Sequence, residues 1–167
     1  MPNIIFLWGM MGSGKSFYGK ILAKELNYKF IDIDEEIEKS SGISVSIIFN
    51  NCGESFFRDK ERDILNIFSK RDKLIISCGG GTPCYFDNIK LMKKKGFCIY
   101  INKDIDEIMI NLENKDEIKK RPNLAGLEKD KVREYLIKNL KEREYFYKQA
   151  DLILKNFDDF KIDDFKI

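Results

Sequence analysis

Apolar residues in this chain form short unbroken runs, separated by longer stretches in which they recur at helical spacing. Ile4-Ile5-Phe6-Leu7-Trp8 is the first run, and the absence of polar breaks suits a strand buried on both faces of a parallel sheet. Phe17/Ile21 and Leu22/Leu26 then recur at i,i+4, which predicts a helix. Lys29-Phe30-Ile31-Asp32-Ile33-Asp34 alternates and reads as a second strand, with Asp32 and Asp34 on one side of its C-terminal end. Residues 40–69 look helical, broken near Asn50-Asn51-Cys52-Gly53 by turn-forming residues. Leu74-Ile75-Ile76-Ser77, Phe97-Cys98-Ile99-Tyr100-Ile101 and Leu152-Ile153-Leu154 are further strands. Helices are predicted over 87–95, 104–114 and 128–148. In the first of these, Lys93-Lys94-Lys95 have a capping role and Gly96 is the stop. Five strands alternating with helices predict an α/β fold with a five-stranded parallel sheet. No linker or shift of composition interrupts residues 1–167, so one domain is expected.

The segment joining the first strand to the first helix changes this from a fold into a site. Gly9-Met10-Met11-Gly12-Ser13-Gly14-Lys15-Ser16 fits G-x-x-x-x-G-K-[ST], the phosphate-binding loop of nucleotide-binding proteins. Its glycines let backbone N–H groups approach phosphate oxygens. Lys15 brings a point charge to the β- and γ-phosphates, and the Ser16 hydroxyl suits a Mg²⁺ ligand. The helix that follows points its positive end at the same place. With this loop after the first strand the sheet is expected to be doubly wound, binding ligands at the C-terminal ends of its strands.

Bulk properties narrow the chemistry. A formal net charge of +2 favours neither nucleic acid nor an anionic membrane as a partner. The leading apolar run is too short to span a bilayer and has no basic segment ahead of it, so a cytoplasmic protein is expected. Histidine is absent, which excludes a histidine base and any histidine-held metal. Cys52, Cys78, Cys84 and Cys98 show no metal or disulfide spacing and read as small buried apolar residues.

Other features of the chain need weighing. Asp34 stands where a ligand would bind, yet Glu35, Glu36 and Glu38 after it also suit a helix N-cap with an acidic first turn. Arg58 and Glu61 would be neighbours on a helix, ordinarily a solvated charged face. Gly79-Gly80-Gly81 at a strand end suggests close approach of backbone to something, or a flexible loop. Residues 115–126, including Lys119-Lys120-Arg121-Pro122-Asn123, are basic and irregular, a candidate lid over a nucleotide site. The repeat of Asp-Asp-Phe-Lys-Ile over 158–162 and 163–167 reads as a short terminal helix or a frayed tail.

In series, these motifs resemble the shikimate kinases, small P-loop kinases, from the phosphate loop to Tyr147. Asp32-Ile33-Asp34 looks like the family's Asp-x-Asp. Phe49, Gly53-Glu54, Phe57-Arg58 and Glu61 are similar to its substrate-binding segment, here about 33–62, and Gly79-Gly80-Gly81 to its glycine strand end. Arg121-Pro122 resembles the start of the lid, about 112–126, and Arg143 with Tyr147 the spacing on its late helix. Each later motif is weak alone; five behind a phosphate loop are specific. The resemblance implies a P-loop kinase fold with a lid, and transfer of the γ-phosphoryl of ATP to the 3-hydroxyl of shikimate.

It also implies roles. Gly12, Ser13, Gly14, Lys15, Ser16, Phe17 and Arg121 would bind ATP; Asp34, Arg58, Gly79, Gly80, Gly81 and Arg143 would bind shikimate. Lys15, Asp34 and Arg121 would carry the chemistry, and Ser16 with Asp32 would hold Mg²⁺. Glu61 would hold Arg58 in place. The expected partners are small molecules only, and a monomer is expected. Three positions depart from the family pattern: Phe17 replaces a small hydroxyl residue, Asn123 a leucine, and 111–114 lacks the arginine often stacked on adenine. The competing readings are another small-metabolite kinase, such as a gluconate kinase, and a nucleotide-binding regulator without catalysis.

Overall fold

β1 (Ile4–Trp8) is buried at all five positions and hydrogen-bonds to a parallel neighbour on each side, β3 (Leu74–Ser77) and β4 (Phe97–Ile101). The structure, a computed structural model, describes residues 1–114, 118, 121, 123–155 and 160. β2 (Lys29–Asp32) pairs with β3, and β5 (Leu152–Leu154) with β4, both parallel, giving the order β2-β3-β1-β4-β5. β1 is central: the chain crosses from it to the edge strand β2, returns through β3 beside β1, and continues on the other side with β4 and β5, so the fork beside β1 is the crevice in which such sheets bind ligands.

Helices cover both faces: α1 (Lys15–Leu26), α2 (Ile33–Ser41), α3 (Val45–Phe68), α4 (Asn88–Lys95), α5 (Ile105–Asn114) and α6 (Lys129–Tyr147). The period of two divides each central strand between two cores. Ile4, Phe6, Trp8, Ile76, Cys98 and Tyr100 pack with α2, α3, α4, α5 and α6, whereas Ile5, Leu7, Ile75, Ile99 and Ile101 pack with Leu22 and Ala23 of α1. Among the described residues no helix is long and apolar enough to cross a membrane.

Several expectations need correction. β2 ends at Asp32, because the Asp32 carboxylate accepts the Asp34 N–H at 3.1 Å and caps α2. Asp34 therefore lies in the first turn of a helix, not on a strand, and the capping role belongs to Asp32. Residues 40–69 are two helices, separated after Ser41 by Gly42 at φ 72°, the second starting under a Ser44 cap. Within α3 the expected break falls at Gly53, at φ 80° and ψ 173°. On α1, Phe17 and Ile21 are exposed; the buried stripe is Lys15, Gly19, Leu22 and Ala23. Lys93 reaches the Gln149 carbonyl at 2.6 Å and Asp151 at 3.0 Å, so it ties α4 to the start of β5 instead of capping its own helix. Cys78 and Cys98 are buried as expected, but Cys84 is only half-buried and Cys52 is exposed.

Of the expected lid, residues 115–117, 119, 120 and 122 lie outside the described residues, as does the terminal repeat apart from Phe160. Leu124, on the far side of that segment, is completely buried in the core.

The sheet's centre leaves little space at one point. Gly96, before β4, has an extended backbone that any residue could adopt, yet a Cβ there would collide with the Ile4 carbonyl of β1. Since β1 is held on both sides, it has no room to yield. Gly96→Ala is expected to cost about 1–3 kcal/mol. Urea unfolding checks this, and an unchanged midpoint would show that β1 can shift.

Candidate active site

The phosphate loop leaves β1 through Gly9, at φ 142°, and enters α1 through Gly14, at φ 96°. These are conformations for which side chains are strained, so the loop's path depends on glycine. Its turn is clamped by α5: the Asn111 amide donates to the Gly12 carbonyl at 2.8 Å, and Leu112 packs where a Gly12 side chain would stand. Lys15 is buried and its ammonium donates to the carbonyls of Gly9 and Met10, both at 2.9 Å. Burial, and then the nearby Arg121 charge, pull its pKa down to about 8. The Ser16 hydroxyl donates to Asp32 at 2.6 Å, bringing together the two predicted metal ligands.

Asp34 sits opposite, at the start of α2. Burial, and then the charges of Asp32 and Glu61, raise its carboxyl to about 7. Its Oδ1 is buried with no hydrogen-bond partner among the described residues. Lys15 and Arg121 oppose that shift without cancelling it.

Beyond Asp34, α3 presents Arg58. Its Nη1 donates to Glu61 at 2.7 Å, and its Nε and Nη2 donate to Glu54 at 3.2 and 2.9 Å. The guanidinium lies 4.2 Å from the Tyr85 ring centre and 5.2 Å from that of Phe57. Burial alone would lower its pKa, but Glu61 and Glu54 outweigh burial and raise it. Glu61, with no exposure, accepts the Thr82 hydroxyl on its other oxygen. The pair that could have been a solvated face is a sealed ion pair.

The three glycines are approached closely, and by the protein's own charged groups. A Cβ on Gly79 would lie 2.5 Å from Glu61, on Gly80 3.2 Å from Arg143, and on Gly81 2.6–2.8 Å from three atoms of the Arg58 guanidinium. Tyr147 donates to the Gly80 carbonyl, fixing the middle peptide.

Two cavities result. The smaller, about 210 Å³, lies over the phosphate loop between Lys15, Ser16, Asp32 and Asn111. The larger, about 530 Å³, is bounded by Arg58, Arg143, Phe49, Phe57 and Tyr135. They share Met11, Asp34, Gly79, Gly80 and Arg121 as a common wall.

A phosphate loop opening onto a second cavity that carries two arginines is the arrangement of a small-molecule kinase, and comparison with known proteins narrows it. The shikimate kinase family model matches residues 11–164. The shikimate kinase of Bacteroides thetaiotaomicron is 38% identical over 149 residues, covering 89% of this chain and 84% of that one. The chain belongs to the shikimate kinase family. A crystal structure of shikimate kinase from B. thetaiotaomicron superposes with a TM-score of 0.85 at 37% identity, over 92% of this chain and 86% of that one. A shikimate kinase from Acinetobacter baumannii, solved in complex with shikimate, gives a TM-score of 0.80 at 27% identity, over 92% of this chain and 83% of that one.

Of the residues that the family resemblance singled out for binding, catalysis or metal, all line one cavity or both except Ser13. Ser13 is buried behind the loop, its hydroxyl without a partner among the described residues. Phe17 is largely exposed at the rim of the smaller cavity. Sequence reasoning missed Thr82, Tyr85, Asn111 and Met11. Of these, only Met11 carried a signal, as a variable position inside the phosphate loop.

A carboxyl held up near 7 makes a prediction about stability. Between pH 4 and 7 the unfolded chain releases this proton while the folded protein keeps it, so Asp34 lowers stability progressively as pH rises through that window. Every tenfold difference in proton affinity between the two states is worth about 1.4 kcal/mol. Asp34→Asn should therefore melt several degrees above the wild type at pH 8 and close to it at pH 4.5. Melting curves that keep the same separation at both values would show that Asp34 is not the titrating group.

Proposed function

We propose that this chain transfers the γ-phosphoryl of ATP to the 3-hydroxyl of shikimate. The observation that carries the reading is the meeting of the two cavities at Asp34, with the phosphate loop on one side and two arginines on the other. ATP would occupy the smaller cavity with its phosphates on Gly12–Phe17. Shikimate, a polyhydroxylated ring with one carboxylate, would occupy the larger with its carboxylate on Arg58 and Arg143. Gly79, Gly80 and Gly81 would offer backbone groups to the ring hydroxyls. The reacting hydroxyl would then face Asp34.

The chain's part in the step is positioning and electrostatics. Asp34, in its ionised form, accepts the hydrogen bond of the attacking hydroxyl, orients it and takes up its proton. Lys15 leaves the Gly9 and Met10 carbonyls for phosphate oxygens, exchanging neutral acceptors for anionic ones. Arg121, in the shared wall, adds a second positive charge where the transferring group carries its negative charge.

The residues present suit Mg²⁺. A serine hydroxyl and a carboxylate already in contact, Ser16 and Asp32, form a small oxygen set, as expected for an ion that keeps several waters and shares phosphate oxygens. When bound, Mg²⁺ would offset phosphate charge during transfer. We read the chain as a single domain working as a monomer. We place that monomer in the cytoplasm, with small molecules as its partners.

Two measurements test the reading. In an ADP-release assay with Mg-ATP, shikimate should be turned over while quinate and gluconate are not, and Asp34→Asn should lose about a hundred-fold or more in kcat. Near-normal kcat would remove Asp34 from the chemistry. Arg143→Ala and Arg58→Lys, the latter keeping a cation beside buried Glu61, should raise KM for shikimate roughly ten- to hundred-fold. They should leave KM for ATP almost unmoved, and equal effects on both substrates would argue against carboxylate binding.

A further inference from the structure

The guanidinium of Arg58 has five N–H groups. Three are engaged within the protein: one on Nη1 with Glu61, and those on Nε and Nη2 with a single oxygen of Glu54. Among the described residues the other two, one on each Nη, make no hydrogen bond to an acceptor, and Arg58 lines the larger cavity. The two internal carboxylates are not equivalent. Glu61 is sealed, with both oxygens hydrogen-bonded. Glu54 has a side chain 50% exposed, and it does not line the larger cavity. It competes for Arg58 from behind.

Tyr85 also stands behind Arg58 and outside that cavity. Its hydroxyl donates to Glu54 Oε1 at 2.7 Å, the oxygen that accepts from Arg58, while its ring lies against the guanidinium. The Glu54 oxygen therefore divides its charge among three donors. The Tyr85 hydroxyl and Arg58 together hold the Glu54 carboxyl below its ordinary range, although burial acts to raise it. Phe86, the next residue, is a non-glycine in the left-handed region at φ 51°. Charge explains why the arrangement matters. Glu54 and Glu61 carry as much charge as Arg58 and Arg143, so Glu54 and a substrate carboxylate compete for the same guanidinium.

We propose that Tyr85 is a positioning residue for Arg58. Its ring fixes the guanidinium, and its hydroxyl draws on the Glu54 carboxylate, so that two N–H groups stay turned to the carboxylate of the substrate. The proposal rests on the reading of the larger cavity as the shikimate site.

The test measures kcat and both KM values for the wild type, Tyr85→Phe, Glu54→Gln, the double variant and Arg58→Lys. Tyr85→Phe keeps the ring but loses the hydroxyl, so KM for shikimate should rise about three- to ten-fold, with kcat and KM for ATP within about two-fold. With Glu54 neutralised the competitor is gone, and adding Tyr85→Phe should then raise KM far less. An unchanged shikimate KM in Tyr85→Phe, an undiminished rise in the Glu54→Gln background, or a parallel rise in KM for ATP would overturn the proposal. Arg58→Lys separates the two possible failures. A normal shikimate KM there overturns the substrate reading itself, whereas a raised one beside a normal Tyr85→Phe overturns only the role of Tyr85.

Discussion

Ionised groups can be buried close together only if each finds partners, and the whole site follows from meeting that demand. Arg58 and Glu61 lie in the interior and satisfy each other, with Thr82 on the remaining Glu61 oxygen. Lys15 is held by two carbonyls of its own loop. Asp34 is the exception: one of its oxygens is buried without a partner among the described residues, and it is surrounded by Asp32 and Glu61. The protein accommodates this by keeping its proton near neutrality. A buried carboxylate oxygen without a donor among the described residues is an acceptor to which a hydroxyl can donate.

Glycine is what makes that density of charge possible. Each residue of Gly79-Gly80-Gly81 gives up the volume of a side chain to a different charged neighbour: Glu61, Arg143 and Arg58. The run therefore brings together helices far apart in the chain, α3 with Arg58 and Glu61, and α6 with Arg143, at the end of β3. A larger residue at Gly79 or Gly81 would push Glu61 or Arg58 off its partners. Thr82, immediately after the run, then uses the same approach to reach Glu61.

What was legible in the sequence follows from the range of the forces involved. The strands were readable because their pattern is local, as with the unbroken apolar runs in β1 and β4. The phosphate loop was readable because its geometry is a requirement on consecutive residues. Asp34 was placed on the wrong element: alternation persists through Ile33-Asp34, and only the Asp32 carboxylate turning onto the Asp34 N–H ends the strand. The state of the Arg58–Glu61 pair was not readable from spacing, since exposed and buried pairs share it. Tyr85 gave no signal, because its partners Glu54 and Arg58 are about thirty residues distant and meet it only through the fold.

The same reasoning explains why the site lies where it does in the sheet. β1 and β3 are neighbours, so the loops leaving their C-terminal ends, the phosphate loop and the glycine run, emerge side by side. β2 lies beyond β3 and delivers Asp32 and Asp34 to the same edge. With Leu7 in register with Ser77, and Ser77 with Asp32, three strand ends stop level with one another, and Ser16 can reach across to Asp32. The order β2-β3-β1 thus converts three distant segments into one wall between two cavities. A phosphate donor and a carboxylate-bearing acceptor need such a shared wall, because transfer requires their reacting atoms to meet in line.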